Sequence, residues 1–149
     1  MPDSKRITEV FAEPSPSSNS LGFKLLGLDM SAWTTRVRFE GRREFTNPAG
    51  VIQGGYLVAM MDDTIGMLCG MKAAGKALPS TIDLHTSFLR PVRTGVIEVV
   101  ARLRNIGRAI VFAEAELFDA RGKEAARCNA TLTLNPITRP SDRQSVQKS

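Results

Sequence analysis

From Gly54 to Gly75 the chain reads GGYLVAMMDDTIGMLCGMKAAG, and this stretch decides the architecture. Its apolar residues fall at Leu57, Met60, Met61, Ile65, Leu68 and Met71. Spacing by three and four is that of one face of an α-helix. Val58, Ala59 and Met67 widen the apolar band almost all round, so the helix is expected to be buried on most sides. Gly75, with Pro79 beyond it, supplies a stop. A helix this apolar needs a layer wrapped around it.

Both flanks provide strands. Upstream, Trp33-Thr34-Thr35-Arg36-Val37-Arg38-Phe39 alternates apolar with polar, and the run from Phe23 to Leu28 is expected to pair with it. Downstream, alternation returns four times. Thr81 to Leu89 sets Ile82, Leu84, Thr86 and Phe88 on one face, with Thr81, Asp83, His85 and Ser87 on the other. Ile97 to Leu103, Ala109 to Leu117 and Ala126 to Leu134 each place an apolar residue at every second position. Arg93-Thr94-Gly95, Asn105-Ile106-Gly107 and Asp119-Ala120-Arg121-Gly122 are hairpin joints. The expected class is α+β, an antiparallel β-sheet wrapped around one long central α-helix.

At 149 residues, with 42% hydrophobic and 23% charged, the chain is expected to form one folded domain. That domain spans 21–136. Residues 1–20, which include the Pro/Ser-rich run Pro14 to Ser20, are expected to be a flexible arm, and the polar residues 137–149 a flexible tail. Cys69 and Cys128 lack metal-ligand spacing and read as reduced core thiols. No basic segment leads into an apolar run near the N-terminus, and no stretch is apolar enough to span a bilayer, so cytoplasm is the expected location. The net charge of +5 suits either a nucleic acid or a small polyanion such as a nucleotide-bearing thioester. Scattered basic residues without interleaved aromatics argue against a base-stacking platform.

Candidate chemistry concentrates at the helix. Two glycines at its entrance, after Gln53, let a ligand approach backbone amides that lack intrahelical partners. An oxygen gaining negative charge is stabilised there; a plain flexible turn would have the same sequence. Asp62 and Asp63 interrupt an apolar helix, where a carboxylate is costly unless paired or used. Adjacent helical positions diverge, so one is expected to face a site and the other a neighbouring subunit or solvent. His85 is the only histidine, and no Gly-x-Ser-x-Gly elbow accompanies it, so it reads as a strand or interface residue. Zinc ligand sets and phosphate-binding loops are missing too.

The segment Asn47-Pro48-Ala49-Gly50-Val51-Ile52-Gln53-Gly54-Gly55, with Asp62 beyond it, resembles the signature of the PaaI-like hotdog acyl-CoA thioesterases. That signature is Asn-x-x-Gly-x-x-His-Gly-Gly followed, nine residues after the His, by Asp or Glu. The likeness runs from Leu21 to Asn135 and includes Ser87-Phe88-Leu89-Arg90-Pro91. One position departs: Gln53 stands where the family has His, which keeps hydrogen bonding but removes an imidazole that could transfer a proton.

The resemblance implies a hotdog fold and hydrolysis of an acyl-CoA thioester to a carboxylic acid and coenzyme A. It implies that the Gly54 amide polarises the thioester carbonyl, with Gly55 beside the substrate. Asp62 then acts as general base or nucleophile, Asn47 and Gln53 hold the substrate or water, and Thr81 assists, with Ser80 as its rival. It further implies a site shared between subunits of a homodimer or homotetramer. Arg90, Arg93 and Arg108 are candidates for the coenzyme A phosphates. Hydrolysis by this route needs neither metal nor organic cofactor. A dehydratase or hydratase on acyl thioesters would need a placed His between Asn47 and Asp62. A non-catalytic acyl-CoA-binding module would have no use for Asp62.

Overall fold

The computed structural model describes residues 14–136, arranged as one six-stranded antiparallel sheet and one long helix. A one-turn helix α1 (Pro16–Ser20) leads into β1 (Lys24–Asp29) and β2 (Thr34–Gly41). A 3-10 turn at Arg43–Phe45 precedes α2 (Gly54–Ala73). Then follow β3 (Ala77–Phe88), β4 (Gly95–Ile106), β5 (Ile110–Phe118) and β6 (Glu124–Pro136). The order across the sheet is β1-β2-β4-β5-β6-β3, so the strand that leaves the helix returns to the far edge. This is the expected architecture.

The core is where the sequence periods meet. α2 buries Leu57, Met60, Met61, Ile65 and Leu68 against Val37 and Phe39 of β2, Ile97 and Val99 of β4, and Leu117 of β5. Polar residues on the outer sheet face neutralise one another: Arg36 and Arg38 both pair with Glu98, and Arg102 with Glu114 and Glu116. Several of the arginines are therefore held in cross-strand ion pairs, not gathered into a basic patch. The helix ends where Ala74 takes up a left-handed conformation (φ 52°) and Gly75 follows (φ 72°).

Three expectations need correcting. Pro14 to Ser20 is no loose arm: Ser15 caps α1, Pro16 occupies its first position, where a missing N–H is harmless, and Ser18 is buried. Residues 1–13 and the expected tail 137–149 lie outside the described residues. Secondly, β3 starts at Ala77, not Thr81, and includes Pro79, which an edge strand tolerates. Thirdly, Thr81 does not share a face with Asp83. Thr81 pairs with Leu132 and Asp83 with the adjacent Thr131, leaving Ile82 as an extra, unpaired residue. That bulge turns Thr81 to the helix side, the side of the buried Leu132, and leaves Ile82 58% exposed.

Candidate active site

The loop before α2 is built by the residues of the Asn47–Gly55 segment. Asn47 Oδ1 accepts from the amides of Ala49 (3.0 Å) and Val51 (3.4 Å), and the Gly50 amide donates to the Asn47 carbonyl. Gly50 sits at φ 74°, which a glycine adopts without strain. Asn47 thus spends its carbonyl oxygen on the loop, a task distinct from the substrate contact that the resemblance implied. The loop is docked by the Gln53 amide on the Phe45 carbonyl (2.8 Å) and by Phe45 stacked on Tyr56, ring centroids 4.2 Å apart.

Gln53 is the N-cap of α2, yet its side chain makes no capping bond and is exposed. Among the described residues no backbone acceptor meets the Gly54 or Gly55 amide, so both are open for a ligand oxygen. A Cβ on Gly54 would lie 3.0 Å from the Phe88 ring, whereas one on Gly55 would meet nothing. Gly54, Leu57, Phe88 and Arg90 line a cavity of about 470 Å³ at this end of the helix. Arg90 is steadied there by its Nε donating to the Glu124 carbonyl (2.8 Å). Arg93 is exposed in the same β3–β4 connection. Arg108 is not brought to them. It lies in the β4–β5 hairpin, at the end of the sheet where Trp33 meets Leu103 and the Lys72 ammonium, near the C-terminus of α2.

Asp62 projects two helical turns further along. Its Oδ1 accepts the Thr81 hydroxyl at 2.7 Å, a contact made possible by the bulge at Ile82. Ser80, the rival, faces the other way and accepts from the Asn135 amide at 2.9 Å. Asp62 and Thr81 line a second cavity of about 860 Å³, whose apolar wall includes Phe23, Met67, Met71 and Leu132. Asp63 lines it too, contrary to the expectation that it would face solvent or a neighbour. Asp63 Oδ1 accepts the Ser18 hydroxyl at 2.8 Å, and Oδ2 is buried without a partner among the described residues. Burial, opposed by the Ser18 bond and reinforced by the nearby Asp62 charge, raises the Asp63 pKa above the ordinary carboxylate value.

The Ser18 contact had no counterpart in the sequence reading. Its signal was available, because Ser15-Pro16 is a cap followed by a proline at the first helical position. Cys69 and Cys128 are buried free thiols pushed up to about 11, which makes poor nucleophiles of both. His85 is exposed on β3 opposite Asn129 and lines neither cavity. Among the described residues no group of three or more His, Cys, Asp or Glu could hold a metal, and no helix is long and apolar enough to cross a membrane.

An antiparallel six-stranded sheet packed on one long helix defines the PaaI-like hotdog thioesterase fold. The sequence profile of the thioesterase superfamily matches residues 49–126, and the chain belongs to that superfamily. A Haemophilus influenzae protein, provisionally named an esterase, is 35% identical over 118 residues, covering 75% of this chain and 82% of its own. The crystal structure of a provisional thioesterase, a phenylacetic acid degradation-related protein of Ralstonia eutropha JMP134, superposes with a TM-score of 0.80 at 32% identity. The superposition covers 86% of this chain and 98% of that one. The Escherichia coli PaaI protein shares the fold at a TM-score of 0.77 and 18% identity, over 91% of this chain and 99% of its own.

Proposed function

We propose that this protein is an acyl-CoA thioesterase in which Asp62 activates water or attacks the thioester carbonyl directly. The observation that carries this reading is the Asp62–Thr81 hydrogen bond in a cavity partly walled by Phe23, Met67, Met71 and Leu132. The hydroxyl fixes one carboxylate oxygen and leaves the other free for water or the carbonyl carbon. The open amides of Gly54 and Gly55 are suited to the oxyanion that forms when that carbon becomes tetrahedral.

One protomer does not complete the site. Gly54 and Asp62 are eight residues apart on one helix, a rise of about 12 Å, whereas both must reach the same carbonyl group. Two copies solve this, the Gly54 amide of one meeting Asp62 of the other. β3 supports such pairing as a twelve-residue edge strand carrying exposed Leu78, Ile82 and Phe88. The cytoplasm is the proposed location, and Arg90 and Arg93 the proposed partners of the coenzyme A phosphates at the Gly54 end.

The test is release of free thiol from a panel of acyl-CoA thioesters by the unaltered protein and by Asp62→Asn. Turnover is expected to fall about 10² to 10⁴-fold in the variant, the usual worth of a general base. A variant that keeps full turnover, with its assembly intact, removes Asp62 from the chemistry.

A further inference from the structure

The larger cavity has a wall that the chemistry does not use. Pro14, Ser15 and Ser18 of the α1 segment close one side, facing Met67 and Met71 of α2 and Leu132 of β6. α1 is anchored behind by buried Leu21, whose carbonyl accepts from the Glu40 amide at 3.0 Å. In front, the hydroxyl of Ser18 on the carboxylate of Asp63 ties α1 by a side chain to the helix that bears Asp62. Ser18 is 7% exposed, so this bond is sheltered from competing water.

The cavity suits the acyl end of a thioester and not its nucleotide end. Among the described residues that line it there is no Lys or Arg, and two neighbouring carboxylates repel phosphate. Its volume of about 860 Å³ lies in the upper part of the usual range for small-molecule sites, well beyond the needs of an acetyl group.

We propose that Asp63 is a positioning residue: by holding Ser18 it fixes α1 as a wall of the acyl cavity, and the pair thereby sets the preference for bulky, uncharged acyl groups. The proposal rests on the thioesterase reading for the identity of the ligand. Asp63 contributes to binding of the acyl chain through α1, whereas Asp62 and Thr81 meet the reacting carbonyl.

Two non-hydrolysable thioethers, S-octyl- and S-ethyl-coenzyme A, separate acyl-end binding from chemistry. Calorimetry on the full chain gives the ratio of their dissociation constants. In Ser18→Ala the α1 cap survives, because its donor is the Ser18 backbone amide. The octyl compound is expected to weaken by about fivefold or more as methylenes lose their wall, the ethyl compound by less than about twofold. Asp63→Leu, which keeps bulk but cannot accept the hydroxyl, gives the same shift, and the double variant adds nothing further. Asp63→Asn retains an oxygen for Ser18 and moves the ratio by less than about twofold. An unchanged ratio in both Ser18→Ala and Asp63→Leu, or equal losses for the two thioethers, overturns the proposal. Absence of turnover on every acyl-CoA by the unaltered protein defeats the thioesterase reading alone, since the thioether ratio still decides the role of Ser18 and Asp63. Failure of both thioethers to bind the unaltered protein defeats both.

Discussion

Asp62 Oδ1 accepts the hydroxyl of Thr81 from β3, and Asp63 Oδ1 that of Ser18 from α1. Consecutive carboxylates are thus supported from opposite sides of one cavity, and their substitutions have different consequences. Asp63→Asn is expected to stay within roughly tenfold of normal turnover, about 1.4 kcal/mol of barrier, beside the far larger loss in Asp62→Asn. Thiol-release kinetics on proteins of equal oligomeric state check that order, and equal losses contradict it. Gln53→His, which introduces the residue of the PaaI-like signature at an exposed cap, should leave the protein folded and active.

Asp63 also imposes a pH dependence on stability. Its folded pKa is raised above the unfolded value of 3.8, so the folded state holds the proton longer. Below 3.8 both states are protonated and the group is neutral in its effect. As pH climbs from 3.8 through the folded pKa, the unfolded state ionises first and the fold loses stability. Beyond that the loss is constant. Asp63→Asn lacks this loss, so its melting temperature relative to the unaltered protein should rise across that window and then level. A relative fall with rising pH would reverse the assignment.

Among the elements, α2 was plain in the sequence because its apolar spacing persists for twenty residues and its stop is marked by glycine. The meander was equally legible, since every second residue is apolar and buried from Ile97 to Leu103, Val111 to Leu117 and Ala126 to Leu132. The face of Thr81 was not. A bulge is fixed by pairing with β6, and nothing local to Thr81, Ile82 and Asp83 announces which residue is left over. α1 was missed for the opposite reason: composition suggested disorder, and one buried serine with a distant partner outweighed it. At the other end of α2, Ala74 adopts a left-handed conformation that penalises a Cβ. Ala74→Gly is therefore expected to stabilise the fold by up to about 1 kcal/mol, visible as a higher denaturant midpoint at unchanged slope.

At the scale of the whole molecule, the shared site proposed above makes assembly a condition of activity, because Gly54 and Asp62 lie eight residues apart on one helix. Sedimentation at micromolar concentration should show no dominant monomer, and an active monomer would contradict the shared site. A mixing experiment is sharper. Gly54→Pro removes the open amide at the first helical position, where proline is tolerated, and should lower turnover about 10² to 10³-fold. Mixed after dissociation with Asp62→Asn, it should regain roughly a quarter of normal activity in a two-fold dimer, because half the dimers are mixed and each holds one intact pair. No recovery would mean that each protomer supplies both groups itself.

The sheet has two unlike ends. β3 offers twelve residues, whereas β1 offers six, kinked where its register slips between Leu25 and Gly27. Joining two β3 strands about a dyad leaves only kinked β1 strands facing outward, and a kinked edge makes a poor template for a further copy. Paired in that way, the protomer would be a monovalent unit for sheet growth. On the proposed pairing, growth of the sheet would close after one step instead of propagating into a fibre, with the irregularity at Leu26 as the stop signal of that polymerisation.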